Sequence, residues 1–290
     1  MQFCKVRLGT GEACPALVEE DQIRVLKLGG FLGLYTLADL LQHDNVKELA
    51  RDLIDERSPS LSLAKATLAA PVDAQEVWAA GVTYKRSQEA RERESVGAAR
   101  FYDLVYKAQR PELFFKAPAY RVRGPGETLH IRRDSQWSVP EPELTLVLSP
   151  NLKLIGYSIG NDMSARDIEG ENPLYLPQAK IYDHACAVGP VITLADDLPS
   201  PDQVAIRMAI ERDGNTVYEG ATTLAAMARS FADLIAWLGE ETSFPQGVLL
   251  LTGTGIVPPD SFALRAGDRV HIDVTGIGRL TNFIAQRTVA

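Results

Sequence analysis

The chain is 290 residues long, with 38 acidic against 30 basic residues, a net charge of −8, and 46% hydrophobic residues. The acidic balance excludes nonspecific nucleic-acid binding, and the length suffices for a large core in one domain or in a domain with an appendage. Three cysteines without close pairing, no apolar run long enough to span a bilayer, and an N-terminus without an apolar signal core point to a reducing, cytoplasmic setting with no membrane partner.

In chain order, strand-like runs lie near Phe3–Leu8, Ala16–Glu19 and Ile23–Leu28. A helix is expected over about Thr36–Asp55, with Leu37, Leu40, Leu41 and Leu53 among its apolar positions. These elements form an N-terminal α/β subdomain over 1–70, and a second unit over 71–290 begins at Pro71. Leu144–Leu148 and Lys153–Ile159 read as two strands joined by the turn signal Ser149-Pro150-Asn151. Further on, Asp213-Gly214 marks a hairpin within Ala205–Glu219. Thr223–Leu238 reads as a helix, because Leu224, Met227, Phe231, Leu234 and Leu238 share one face, and Thr222 or Thr223 is placed to cap it. The glycines at Gly124–Gly126 and Gly253–Gly255 are expected to serve turns and close approach to ligand, since no G-K-[ST] follows to make a phosphate loop. The fold class is α+β, dominated by mixed and antiparallel sheet. No motif for a nicotinamide or flavin is present.

The segment Trp137–Asp183 carries the chemistry. Glu141 and Glu143 are two apart on a strand and share a face. If Ser149 and Leu152 close the hairpin, Glu141 falls opposite Gly160. Asp162 is then its diagonal neighbour at roughly 7–8 Å between backbones. Pro142 lacks an N–H and favours a strand start. For E-x-E alone an exposed polar face is the better reading. Adding Asp162 at a compatible position favours a metal site, and all-oxygen ligation suits Mg²⁺, Mn²⁺ or Ca²⁺.

E-x-E, then G-Y-x-I-x-N-D-M-S-A-R-D, then a downstream lysine, resembles the fumarylacetoacetate hydrolase superfamily. So does Leu251–Leu280, with its TGT…GD…G-x-L pattern. The resemblance runs from about Ala79 to the C-terminus. It implies a rolled β-sandwich after a small N-terminal subdomain, metal ligands at Glu141, Glu143 and Asp162, active-site roles for Lys180 and Arg166, and a homo-oligomer. Hydrolytic members carry a His and a Glu that activate water in a motif matching Gly81–Ala90. Ser87 stands at the histidine position here and Ala90 at the glutamate position, while Glu89 is one place off. Gly255 replaces the proline of TGTP. RPELFFKA (110–117), PEPEL (140–144) and ENPLYLPQAKIY (171–182) are similar to one branch, the 2-keto-3-deoxy-pentonate dehydratases.

That branch implies a small-molecule 2-keto acid as substrate. Such an acid offers a carboxylate and a keto oxygen to a divalent cation, which acidifies its C3 hydrogens. Elimination of the C4 hydroxyl then needs a base and an acid but no hydrolytic water. Lys180 is the candidate base, with a solvated surface lysine as the alternative. Glu112 is either the acid or an exposed glutamate, and Glu169 and Glu171 are similarly open. Arg166 either holds a substrate carboxylate or pairs with Asp167 or a ligand carboxylate. Ser87, Lys116, Glu171 and Thr254 are expected to contact substrate. Hydrolysis or decarboxylation of a β-diketo acid is a second reading, and a binding protein that retains the fold is a third.

Overall fold

Every residue of the strand Pro142–Leu148 is buried, and successive side chains enter different cores. Leu144, Leu146 and Leu148 join the largest apolar cluster, whereas Val147 packs with residues of the N-terminal helices. A strand covered on both faces belongs inside a sheet, and this one lies well inside. The computed structural model describes residues 1–9, 11, 13–29, 32–94 and 104–287. Its large sheet runs in the order Leu61–Ser62, Gln22–Val25, Ala13–Glu19, Gln2–Arg7, Cys186–Leu194, Leu154–Asp162, Pro142–Leu148, Val248–Leu251, Glu76–Gly81 and Glu112–Ala117. Most neighbours are antiparallel, while Val248–Leu251 runs parallel to Glu76–Gly81.

A second sheet has the order Asn215–Thr223, Ala205–Arg212, Arg269–Val274, Gly278–Gln286 and Thr128–Ile131. Leu144, Leu146 and Ile159 of the large sheet share one core with Ile206, Met208, Ile272 and Leu280 of the second. This is the mixed β-sandwich of an α+β protein expected from the sequence. The Asp213-Gly214 turn forms as expected, with φ of 52° and 79° at its two residues.

The strands of residues 1–70 extend the large sheet. Gln2 and Phe3 pair with Thr193 and Ile192. The expected single helix over Thr36–Asp55 is two helices, Leu37–Leu41 and Val46–Asp52. Thr36 caps the first through a reciprocal box with Asp39. Asp44 and Asn45, poor residues for a helix interior, fall at the break. The helices set Leu37, Leu40, Leu41 and Ala50 in one core with Val147, Ile192 and Leu194, on the face away from the second sheet.

Two further expectations are corrected. The helix expected over Thr223–Leu238 is Phe231–Leu238, capped by Ser230, whose hydroxyl accepts the Asp233 N–H at 3.1 Å. Upstream, Met227 bridges to Tyr84 and Ala228 N–H donates to Thr83 O at 2.8 Å, so tertiary pairing takes the backbone that a longer helix would use. In the central hairpin, Glu143 rather than Glu141 lies opposite Gly160, and Asp162 N–H donates to Glu141 O at 3.0 Å. The turn shifts the register by one residue, because Ser149 N–H bonds Lys153 O, with Leu152 at φ 58°. A bulge between Val147 and Leu148 shifts it by a second. A shift of two preserves the face on which every side chain lies, so the convergence of the acids survives.

Among the described residues, no helix is long and apolar enough to cross a membrane.

Candidate active site

Glu141, Glu143 and Asp162 meet on the face of the large sheet turned away from the second sheet. They are 4%, 1% and 1% exposed. One oxygen from each lies within 4.8 Å of the other two. Pro142 between the glutamates is the first residue of its strand, as its missing N–H predicts. Burial holds the Glu143 carboxyl well above the usual carboxylate range, and the neighbouring Asp162 and Glu141 charges add to the rise. The backbone N–H of Gly253 donates to Glu143 Oε2 and opposes it.

Lys180 ends the short helix Leu176–Lys180 and points into this cluster. Its Nζ donates to Glu141 Oε2 at 2.7 Å, Asp162 Oδ2 at 2.9 Å and Ser164 Oγ at 2.6 Å. It is 3% exposed, which removes the surface-lysine alternative. Arg166, 2% exposed, pairs with Glu141 Oε1 at 3.0 Å, and Asp167 is held instead by Ser135 Oγ and Gln136 N–H, each at 2.6 Å. Lys116 is also buried, with its ammonium against Asp162 Oδ1.

A cavity of about 20 Å³ opens onto Glu141, Glu143, Asp162 and Lys180. Ser87, Glu112 and Thr254, three of the residues singled out from the sequence, also line it, as does Glu169. Glu112 reaches it by folding over Gly81, its register partner on the adjacent strand; a Cβ there would lie 2.1 Å from Glu112 Oε2. Lys116, Arg166 and Glu171 do not line the cavity, and Glu171 is exposed at the end of Arg166–Glu171. Ser87 Oγ donates to Tyr84 O at 2.8 Å, Ala90 is buried, and Glu89 is exposed beside Lys85. The segment therefore brings no histidine–glutamate pair to the cavity.

The donor set fits a hard divalent cation. Three carboxylates packed this closely repel one another unless cations intervene, and their oxygens suit Mg²⁺-like ions. Asp162 Oδ1 is buried, with the Lys116 ammonium beside it.

Residues 76–285 match the fumarylacetoacetate (FAA) hydrolase C-terminal family. The chain belongs to that family. Within it, the chain is 48% identical over 214 residues to a probable 2-keto-3-deoxyxylonate dehydratase of Haloferax volcanii, covering 74% of this chain and 73% of that one. It is 40% identical over 256 residues to the 2-dehydro-3-deoxy-D-arabinonate dehydratase of Saccharolobus solfataricus, covering 86% of each. A solved 2-keto-3-deoxy-D-arabinonate dehydratase complexed with magnesium and 2,5-dioxopentanoate superposes with a TM-score of 0.86 at 32% identity, over 100% of both chains.

Sequence reading passed over Ser164 and the Gly253 N–H. Ser164 had a usable signal, since it lies two residues after Asp162 along the same extended stretch. The Gly253 contact had none, because a backbone donor carries no residue-type signature.

Proposed function

We propose that the chain is a divalent-metal-dependent dehydratase that converts a 2-keto-3-deoxy-pentonate to 2,5-dioxopentanoate. One observation carries the reading. The Lys180 ammonium lies 2.7 and 2.9 Å from two of three buried carboxylates that face one cavity. Glu141, Glu143 and Asp162 would hold the ion, Mg²⁺ first and Mn²⁺ or Ca²⁺ in the same place. When bound, it would act as a Lewis acid on the 2-keto group. The magnesium and 2,5-dioxopentanoate held by the solved relative support this assignment.

The chain's own residues supply the proton traffic. Lys180 Nζ, once its ammonium has released a proton to solvent, accepts a C3 proton as a neutral amine. The C4–O bond breaks, and a protonated carboxyl of Glu112 or Glu169, both at the cavity wall, gives the departing hydroxyl its proton and releases water. Proton transfers then move the double bond toward C5, which becomes the aldehyde carbon. Overall the substrate loses one water and no electrons, so no redox cofactor enters. Arg166 holds Glu141 from behind rather than meeting substrate. The small cavity admits little beyond a water molecule, so substrate entry has to displace side chains or backbone around it.

The test is product mass with Mg²⁺ over a panel of 2-keto-3-deoxy acids. Loss of one water from a pentonate supports the reading. Pyruvate plus an aldehyde would mean aldol cleavage and overturn it.

A further inference from the structure

Lys116 was expected to touch substrate, and its surroundings give it a different task. It lies on the strand Glu112–Ala117, where alternation puts Glu112, Phe114 and Lys116 on one face. Glu112 and Phe114 line the cavity, and the Phe114 ring centroid lies 5.7 Å from Lys180 Nζ. Lys116 sits two residues deeper, its side chain 0% exposed. Its Nζ donates to the backbone carbonyl of Lys180 at 2.6 Å and to that of Met163 at 2.9 Å, and it ion-pairs with Asp162 Oδ1. A charge buried this deeply persists only where partners surround it, and here two of the three, Asp162 and Lys180, line the cavity, while Met163 adjoins Asp162 in the chain.

The two lysines thus grip Asp162 from opposite sides, Lys116 at Oδ1 and Lys180 at Oδ2. Lys116 also fixes the last carbonyl of the five-residue helix that ends in Lys180, where a cation is favoured. We propose that Lys116 is a positioning residue that sets the separation between Lys180 Nζ and the Asp162 carboxylate and makes no contact with substrate. This rests on the dehydratase reading for its kinetic arm and is independent of it for its metal arm.

The test compares wild type, K116M, K180M and K116M/K180M. Mn²⁺ affinity is read by electron paramagnetic resonance without substrate. Loss of the buried partner should weaken Mn²⁺ binding in K116M by about 10–100-fold. With Mg²⁺ and substrate, K116M should lose about 10²-fold in kcat with KM changed by less than about threefold, and the double variant should turn over no more slowly than K180M alone. A raised KM with unchanged kcat and unchanged Mn²⁺ affinity would make Lys116 a substrate contact and overturn the proposal. Additive losses in the double variant would overturn it too. If K116M does not fold, K116Q, which keeps a donor, is put through the same measurements; if neither folds, Lys116 is purely structural and the proposal falls. Should wild type dehydrate no acid in the panel, the functional reading fails while the Mn²⁺ arm still decides the role of Lys116.

Discussion

Lys180 Nζ lies 2.7 Å from Glu141 Oε2, with the two side chains 3% and 5% exposed. A lysine so placed answers to the acid cluster rather than to solvent. Lys180→Met should keep the fold and the three carboxylates and lose the proposed proton acceptor, about 10²–10⁴-fold in kcat. Turnover and Mn²⁺ binding measured on one preparation check this. Wild-type turnover in the variant would remove Lys180 from the proton path.

Glu143 offers an oxygen to the proposed metal site and receives the Gly253 N–H. Glu143→Ala should abolish metal-dependent dehydration, a loss of several kcal/mol of transition-state stabilisation and so about 10²-fold or more. Circular dichroism should stay native. Full activity in this variant, or in excess chelator, is the contrary result.

Acylpyruvates should be hydrolysed negligibly. Water attack on a ketone needs a positioned base, generally contributing about 10²–10⁴-fold, and Ser87 donates to Tyr84 O instead of acting as one. Cleavage at a rate comparable with dehydration would show that Glu112 or Glu169 does this work.

Gly253→Ala should both destabilise the fold and weaken metal binding. The residue has φ +90°, and an added Cβ would lie 2.0 Å from Thr83 Oγ1. Strain of this kind costs about 1–3 kcal/mol, and relieving it moves the N–H away from Glu143. Gly267→Ala is the control, with φ +95° and nothing within 4 Å of an added Cβ. The control should lower Tm by less and leave Mn²⁺ affinity unchanged.

Acid should destabilise the protein through a histidine pair. His130 and His184 stack with ring centroids 4.1 Å apart, and Arg123 Nη2 abuts His184 Nε2. Burial lowers both histidines below 6.5; the Arg123 charge adds to this, and Asp183 opposes it. A histidine with a depressed folded value binds more protons when unfolded. Its stability contribution is therefore full above 6.5 and is lost as pH falls from there through the lowered value. Tm should drop between pH 7 and pH 5. His184→Asn, which tolerates the φ of 60° at this position, should shrink that drop. An identical drop in the variant would clear His184 of the effect.

Much of the site was readable because strand alternation is a matter of parity. Glu141, Glu143 and Asp162 kept their common face although the register moved by two residues, and Asp213-Gly214 named its own turn. What escaped depends on three-dimensional neighbours. The bulge at Val147/Leu148 has no residue-type signal, and the pairing of Met227 with Tyr84 shortened a helix that periodicity alone extends. The anchoring contacts of Lys116 are two backbone carbonyls and one carboxylate oxygen from residues 46 to 64 positions away, beyond the reach of any local pattern.

The strand Gln2–Arg7 has a consequence for anyone cutting this chain at residue 70. It hydrogen-bonds to Cys186–Leu194, which in turn pairs with the strand that ends in Asp162. Deleting the first 70 residues would strip the pairing at Ile192–Leu194 and leave that end of the strand bare, one strand from Asp162. Bare edges recruit other chains. The shortened protein should aggregate rather than survive as a minimal enzyme.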